Sequence, residues 1–347
     1  MSADLLVVGG GPVGLVTAML ARRRGLTVQV LEPRTGAIDK ACGEGIMPAG
    51  LALLADLGVD PPGQAIRGVR YLADGRSVEA AFSRGAGRGV RRARLQPMLL
   101  AAARSAGVEV VRTAVVGIGQ SSDEVDVLLR DGSRRQARYV VGADGLHSTV
   151  GRLCGLSAPV RRPLRRAGLR QHFAVEPWTD LVEVHWASDT EAYVTPVGEA
   201  EIGVALLTER PGPFAERLRA FPALLERLAG VGATSRVCGA GPFRRRTTAR
   251  TAGRVALVGD AAGYVDAITG EGLTVGWRQA GALVEAIASG SLSGYEQAWR
   301  RVVRPSTLLT SGLLTAARHP TTRQMIVPTA ARLPRVFGAI VDLAARG

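Results

Sequence analysis

Asp4-Leu5-Leu6-Val7-Val8-Gly9-Gly10-Gly11-Pro12-Val13-Gly14-Leu15 opens the chain and decides its fold. A short run of apolar residues stops at three glycines, and an apolar, Ala-rich stretch from Leu15 to Arg24 follows as a helix. Thr27 to Leu31 is a second β-branched run, so a βαβ unit begins at residue 4. In Gly9-x-Gly11-x-x-Gly14 the first glycine permits a sharp turn. The second admits a ligand's pyrophosphate to backbone N–H groups, and the third permits close packing of helix on strand. Glu32 ends the second strand, where an acidic side chain meets the hydroxyls of a ribose. The spacing alone leaves open which dinucleotide is held.

Farther along, Leu95 to Ala106 is expected to be a helix before a strand at Val108 to Val111. Strands at about 114–119, 125–129 and 136–141 then form a meander, with turns at Gln120-Ser121-Ser122-Asp123 and Asp131-Gly132-Ser133. From residue 160 longer strands prevail, at 168–175, 181–186, 192–196 and 201–207, with one amphipathic helical segment over 213–228. The α/β pattern returns with a strand at 254–258 and a helix at 272–288. After Ser293 come basic helices broken at Pro305, Pro320, Pro328 and Pro334, expected to cap the fold.

A formal charge of +14 rests almost wholly on arginine, Lys40 being the only lysine. The arginine clusters (Arg22 to Arg24, Arg161-Arg162, Arg165-Arg166 and Arg244 to Arg246) accompany no base-reading motif. With aromatics at 4%, stacking platforms are scarce, so nucleic acid is not an expected partner. Contact with an anionic membrane stays open but is not favoured. Cys42, Cys154 and Cys238 form no CxxC pair, which argues against both a disulfide framework and a metal site. The first apolar run lacks a basic leader and breaks into glycines, so a cytoplasmic location is expected.

A second glycine-rich block resolves the ambiguity of the first. Arg254-Val255-Ala256-Leu257-Val258-Gly259-Asp260-Ala261-Ala262 is a strand ending in Gly-Asp, and Thr269-Gly270-Glu271-Gly272 opens the next helix. A carboxylate there suits a ribityl chain, and the helix start suits the pyrimidine end of a flavin, where reduction builds negative charge. Gly142-Ala143-Asp144-Gly145-Leu146-His147-Ser148 closes the cradle from a third side. These three blocks, over residues 4–290, resemble the p-hydroxybenzoate hydroxylase-like flavoprotein superfamily, which includes aromatic-ring monooxygenases, halogenases and geranylgeranyl reductases.

The resemblance implies an α/β fold: a Rossmann-like FAD-binding domain over 1–70, 90–160 and 245–295, an inserted antiparallel β-sheet substrate domain over 71–89 and 161–244, and C-terminal helices over 296–347. The cofactor-binding set is Gly9, Gly11, Pro12, Val13, Gly14, Glu32, Pro33, Arg34, Lys40, Ala41, Cys42, Gly43, Arg92, Val115, Asp144, Gly145, Gly259, Asp260, Ala261, Gly270, Glu271, Gly272 and Leu273. Arg92, which opens Arg92-Ala93-Arg94-Leu95, matches the family's arginine along the FAD. Lys40-Ala41-Cys42-Gly43 and Gly270-Glu271-Gly272 resemble the reductase branch, and Tyr193-Val194-Thr195-Pro196 echoes part of its aromatic motif. Ala267 and Thr274 stand where hydroxylases carry proline and asparagine.

Candidate catalytic residues are Cys42, His172 and Tyr193. Cys42 reads either as a thiol beside the ring or as a small packing residue. His172 and His185 read as partners of a bound phenol or as structural histidines. The favoured activity at this level is NAD(P)H-dependent hydroxylation of an aromatic or polyketide-like molecule, NAD(P)H binding only transiently. The alternatives are reduction of a C=C bond in a prenyl-type substrate and ligand binding without turnover.

Overall fold

The computed structural model describes residues 3–159, 166–210 and 212–346. Arg161, Arg162 and Arg165 of the basic clusters, and the domain junction expected at 160–161, lie outside the described residues. The first strand, Ala3–Val8, is buried except at Asp4 and pairs in parallel with Val28–Leu31 on one side and Arg134–Gly142 on the other. Glu109–Val111 extends this sheet beyond Val28–Leu31, and Val255–Leu257 extends it beyond Arg134–Gly142, both in parallel. Near-continuous apolar strands are what a parallel sheet covered on both faces requires. The meander Val115–Gln120, Val125–Leu129 and Arg134–Gly142 hangs from it by antiparallel pairing.

The first helix runs Pro12–Arg23 and so begins three residues before the expected Leu15. Proline at the first helical position has its φ preset and forfeits no hydrogen bond, so Pro12 starts the helix rather than delaying it. This helix packs on Gly272–Ala288 and on Arg92–Ser105. The latter also starts three residues early and keeps Pro97 in its first turns.

A second sheet of seven strands takes the order Cys238–Ala240, Ala167–Phe173, Glu201–Thr208, Thr190–Gly198, Leu181–Trp186, Gly68–Ala73 and Arg76–Ala81. All neighbours are antiparallel except Leu181–Trp186 with Gly68–Ala73, which pair in parallel. Alternation divides its side chains between two apolar clusters. Tyr193, Ala205 and Leu207 face Phe337 and Val341 of the C-terminal helices, whereas Val194, Val204 and Leu206 face Phe214 and Leu224. The segment expected as one helix over 213–228 is two, Phe214–Leu218 and Pro222–Arg227. Pro222 disfavours helical geometry at Phe221 and breaks the run there. Gly45–Ile46, Gln64–Ile66 and Gly87–Gly89 make a small third sheet.

The C-terminal segment folds as Tyr295–Arg318, Pro320–Arg332 and Pro334–Arg346. Breaks come at Pro320 and Pro334, but Pro305 and Pro328 lie inside continuous helices, contrary to the four breaks expected. An interior proline removes one backbone bond, and packing of the buried stripe Trp299, Val303, Thr310 and Leu314 carries the helix through it. Among the described residues no helix is long and apolar enough to cross a membrane.

Candidate active site

The first βα turn shows why its glycines are unequal. A Cβ on Gly14 would lie 1.9 Å from the Gly9 carbonyl oxygen, so this glycine lets the helix sit on the strand end. A Cβ on Gly11 would meet nothing within 4 Å and would project into a cavity of about 700 Å³. Leu15 N–H already bonds to Gly11 O, and Pro12 has no N–H, so Val13 and Gly14 are left as the free amide donors of the first turn.

The Glu32 carboxylate accepts the Gly10 N–H at 2.8 Å and is forked by Arg34 at 2.8 and 2.9 Å. Burial opposes its charge, but Arg34's side-chain and backbone hydrogen bonds and Gly10 N–H outweigh burial and hold the carboxyl below its ordinary range. A ribose reaching Glu32 therefore has to share it with Arg34.

On the opposite wall Asp260 follows the strand Val255–Leu257 and pairs with Lys40 Nζ at 3.4 Å. Asp144 uses one oxygen to cap the helix Thr149–Leu153 through Thr149 and Val150 N–H, at 2.6 and 3.1 Å, while its Oδ1 is buried without a partner. An orphaned carboxylate oxygen at a cavity wall is costly unless a ligand donor meets it. Together with the open space over Gly11 and the free amides behind it, this oxygen gives the cavity the features a pyrophosphate and a ribityl chain need.

Gly11, Pro12, Val13, Arg34, Lys40, Ala41, Cys42, Gly43, Arg92, Asp144, Gly145, Gly259, Asp260, Gly270, Gly272 and Leu273 all line this one cavity. Gly9, Gly14 and Glu32 support it from behind. Four expected contacts, Val115, Pro33, Ala261 and Glu271, are placed elsewhere. Val115 is buried in the meander strand opposite Leu129, Pro33 is exposed, and Ala261 is buried beneath the Gly-Asp turn. The Glu271 side chain turns away to accept the Ser306 hydroxyl at 2.8 Å, beside a second cavity of about 350 Å³ behind the loop. Burial raises the Glu271 carboxyl despite that bond and one from Thr269.

From the flavin-type cradle the cavity continues onto the seven-stranded sheet. There it is walled by Val69, Tyr71, Phe82, Val182, Val184, Ala205, Leu207 and Phe243, and across from them by Leu309, Leu313, Ile340, Val341 and Ala344. The C-terminal helices thus form a wall of the site and are more than a cap.

Cys42 lines the cavity. Tyr193 lines it too, but its hydroxyl donates to Ile268 O at 2.7 Å, which commits it to the loop before Gly270. Burial, reinforced by Glu191, raises its phenol well above the ordinary value.

His172 does not face the cavity, and the expectation of a phenol partner is corrected. It is fully buried, with Nε2 at 2.6 Å from Glu44 and Nδ1 at 2.9 Å from Arg170 and from Ser235. Residues at 168, 170 and 172 share the strand face that packs inward, and no apolar-versus-polar count distinguishes a cavity from a packed interior. His185 pairs with Glu183 at 3.1 Å. A further buried cluster escaped the sequence reading. Arg166 bridges Glu191 and Asp266 at 2.5 and 2.9 Å, and Arg323 of the C-terminal helices reaches Glu191 at 2.7 Å. These four residues come from distant segments and carry no local pattern.

Residues 2–295 match the family described as FAD binding domain. The chain belongs to this family. It is 31% identical over 334 residues to a menaquinone reductase of Mycolicibacterium smegmatis, covering 86% of this chain and 79% of the relative. A digeranylgeranylglycerophospholipid reductase of Methanosarcina acetivorans is 30% identical over 329 residues, covering 86% and 80%. A rifampicin monooxygenase of Streptomyces venezuelae is 33% identical over 172 residues, covering 45% of this chain and 34% of the relative. The protein is a member of the p-hydroxybenzoate hydroxylase-like FAD-dependent oxidoreductases, with reductases and a monooxygenase both among its relatives.

Proposed function

We propose that this FAD-dependent oxidoreductase reduces a carbon–carbon double bond in an extended apolar, prenyl-type substrate, with NAD(P)H as transient reductant. The observation that carries this reading is the chemistry of the cavity beyond the cradle: mostly aliphatic and aromatic walls, with the ionisable groups buried in or behind them tied to protein partners. Asp266 is bound by Arg166, the Tyr193 hydroxyl is given to Ile268, and His172 lies behind the wall with Glu44. A phenol hydroxylase gains from a base that takes the substrate's proton; Asp266 and Tyr193 on this wall are committed to protein partners, and His147 stands at its exposed edge with Nε2 3.3 Å from Gly241 O. An alkene needs apolar burial and one proton donor. The two relatives matched along most of this chain are named as reductases, one of them of an isoprenoid lipid, which supports the same choice over the hydroxylation favoured by sequence alone.

FAD, when bound and reduced, would supply the hydride. Gly11, Val13 and Gly14 would hold its pyrophosphate, Asp260 and Lys40 its ribityl chain, and the N–H groups at the start of the helix Gly272–Ala288 would receive the negative charge that reduction builds. The apolar walls orient the alkene and exclude water. Cys42 Sγ–H, on the same cavity wall, gives the proton to the second alkene carbon and regains one from solvent.

The test is anaerobic. Holoprotein reduced with dithionite is mixed with geranylgeraniol, and products are read by mass spectrometry with and without O₂. A gain of two hydrogens without O₂ is expected. An oxygenated product that forms only with O₂ overturns the reading in favour of hydroxylation, which the partial similarity to the rifampicin monooxygenase represents.

A further inference from the structure

We propose that Arg170 and His172 form a clamp that grips both ends of the Lys40–Gly43 loop and positions Cys42 for proton delivery. The inference rests on the reductase reading above and deepens it.

Asp39 precedes the loop and Glu44 ends it. Arg170 and His172 stand two residues apart on Ala167–Phe173, which puts both side chains on one face of that strand. Arg170 Nη2 binds Asp39, and His172 Nε2 lies 2.6 Å from Glu44 Oε2. Arg170 Nη1 then closes the circuit by approaching His172 Nδ1 at 2.9 Å. A guanidinium only donates, so Nδ1 is the acceptor, which leaves the imidazole proton on Nε2 to bond Glu44. The far oxygen of Glu44 accepts Arg92 N–H at 2.8 Å, tying the clamp to the start of a helix on the cavity wall.

These groups are closed off from water: Arg170 is 1% exposed, His172 0% and Glu44 3%. Buried charges are expensive and removing one partner strands the other, so the geometry is held firmly. Glu44 takes φ 59°, a left-handed conformation uncommon for a side-chain residue, and its N–H points at Cys42 Sγ at 3.3 Å. Thr195 Oγ1 donates to Gly43 O at 2.9 Å. The sheet therefore holds the loop at 39, 43 and 44, and the residues between carry Lys40 toward Asp260 and Cys42 into the cavity. Gly203 leaves the space for this, since a Cβ there would lie 3.1 Å from Glu44 Oε2. Arg170, His172 and Glu44 are positioning residues in this scheme, acting through the thiol.

His172→Gln, Glu44→Gln and Arg170→Lys are compared with the wild-type holoprotein after FAD content is checked by absorbance. Two readouts are taken: N-ethylmaleimide alkylation of Cys42 followed by peptide mapping, and kcat and KM for anaerobic reduction of geranylgeraniol, the kinetics also in a Cys42→Ser background. His172→Gln is expected to speed Cys42 alkylation several-fold as the loop loosens. It should lower kcat by about 10-fold or more, within the range of general-acid effects, with KM little changed. In the Cys42→Ser background the same change should cost almost nothing further, because the two act as a unit. Arg170→Lys keeps the charge that pairs with Asp39 and should lose less than His172→Gln.

Equal losses with and without Cys42, or alkylation unmoved by clamp variants that keep their FAD, would overturn the proposal. Glu44→Gln reads the same contact from the other side should His172→Gln fail to fold. If Cys42→Ser alone leaves reduction intact, the thiol's role in the reductase reading fails, and the alkylation rates still decide whether the clamp holds the loop.

Discussion

Gly11→Val and Gly14→Ala lie three residues apart in one motif, and the structure predicts opposite failures for them. Gly11 has φ −73° and ψ 172°, extended backbone that valine adopts without strain, and no protein atom lies within 4 Å of its would-be Cβ. The folded apoprotein should therefore tolerate Gly11→Val to within about 0.5 kcal/mol, as at an uncrowded surface position. The valine methyls would occupy the space through which a pyrophosphate reaches Val13 and Gly14 N–H. Losing two hydrogen bonds to a charged group, at about 1.5–3 kcal/mol each, weakens FAD binding by about 3–6 kcal/mol, or about 10²–10⁴-fold in Kd. In Gly14→Ala the new Cβ would sit 1.9 Å from a backbone oxygen, which no side-chain rotation relieves. That variant should lose stability outright, because helix and strand must separate. Circular dichroism melts of apoprotein measure the first effect, and quenching of FAD fluorescence on titration measures the second. Gly11→Val protein that binds FAD within a few-fold of wild type, or that melts as early as Gly14→Ala, would refute the reasoning.

Asp260→Ala should weaken FAD by a few kcal/mol at most and release Lys40 from its 3.4 Å pairing, read as a shift in Kd and in flavin reduction potential. Glu183 is buried, which by itself raises its carboxyl, yet hydrogen bonds from His185, Trp178 and Arg70 outweigh this and bring it from 4.5 down to about 2. A depressed folded-state value means that stability is present above the unfolded value and drains away as pH falls through the folded one. The wild-type melting temperature should therefore fall more steeply than that of Glu183→Gln between pH 4.5 and about 2. Burial, with the nearby Asp144 carboxylate, pushes the Cys154 thiol up to about 11, so peptide mapping should find it unalkylated near neutral pH while Cys42 reacts.

The α/β class, the strand–turn–helix on one side of the cavity and the Gly-Asp turn on the other were legible in the order of residues. Those features are local: a glycine's tolerance of close approach, a two- or 3.6-residue period and a proline's fixed φ act within a few neighbours. That is why Gly11, Asp144 and Asp260, taken from three separate motifs, all line one cavity. Which side of the wall each polar group occupies follows from packing between distant segments. His172 and Tyr193 are both strand residues with polar tips, but one is locked behind the wall by Glu44 and the other reaches the cavity and a loop carbonyl. Glu271 sits between the two glycines that line the main cavity, and its side chain points the other way, to Ser306. Pairing of Asp39 with Arg170, or of Glu191 with Arg323, joins residues more than a hundred positions apart, with no periodicity to foretell it. Such pairs form because burying one charge forces the fold to deliver its partner, and only the packed chain states which partner is delivered.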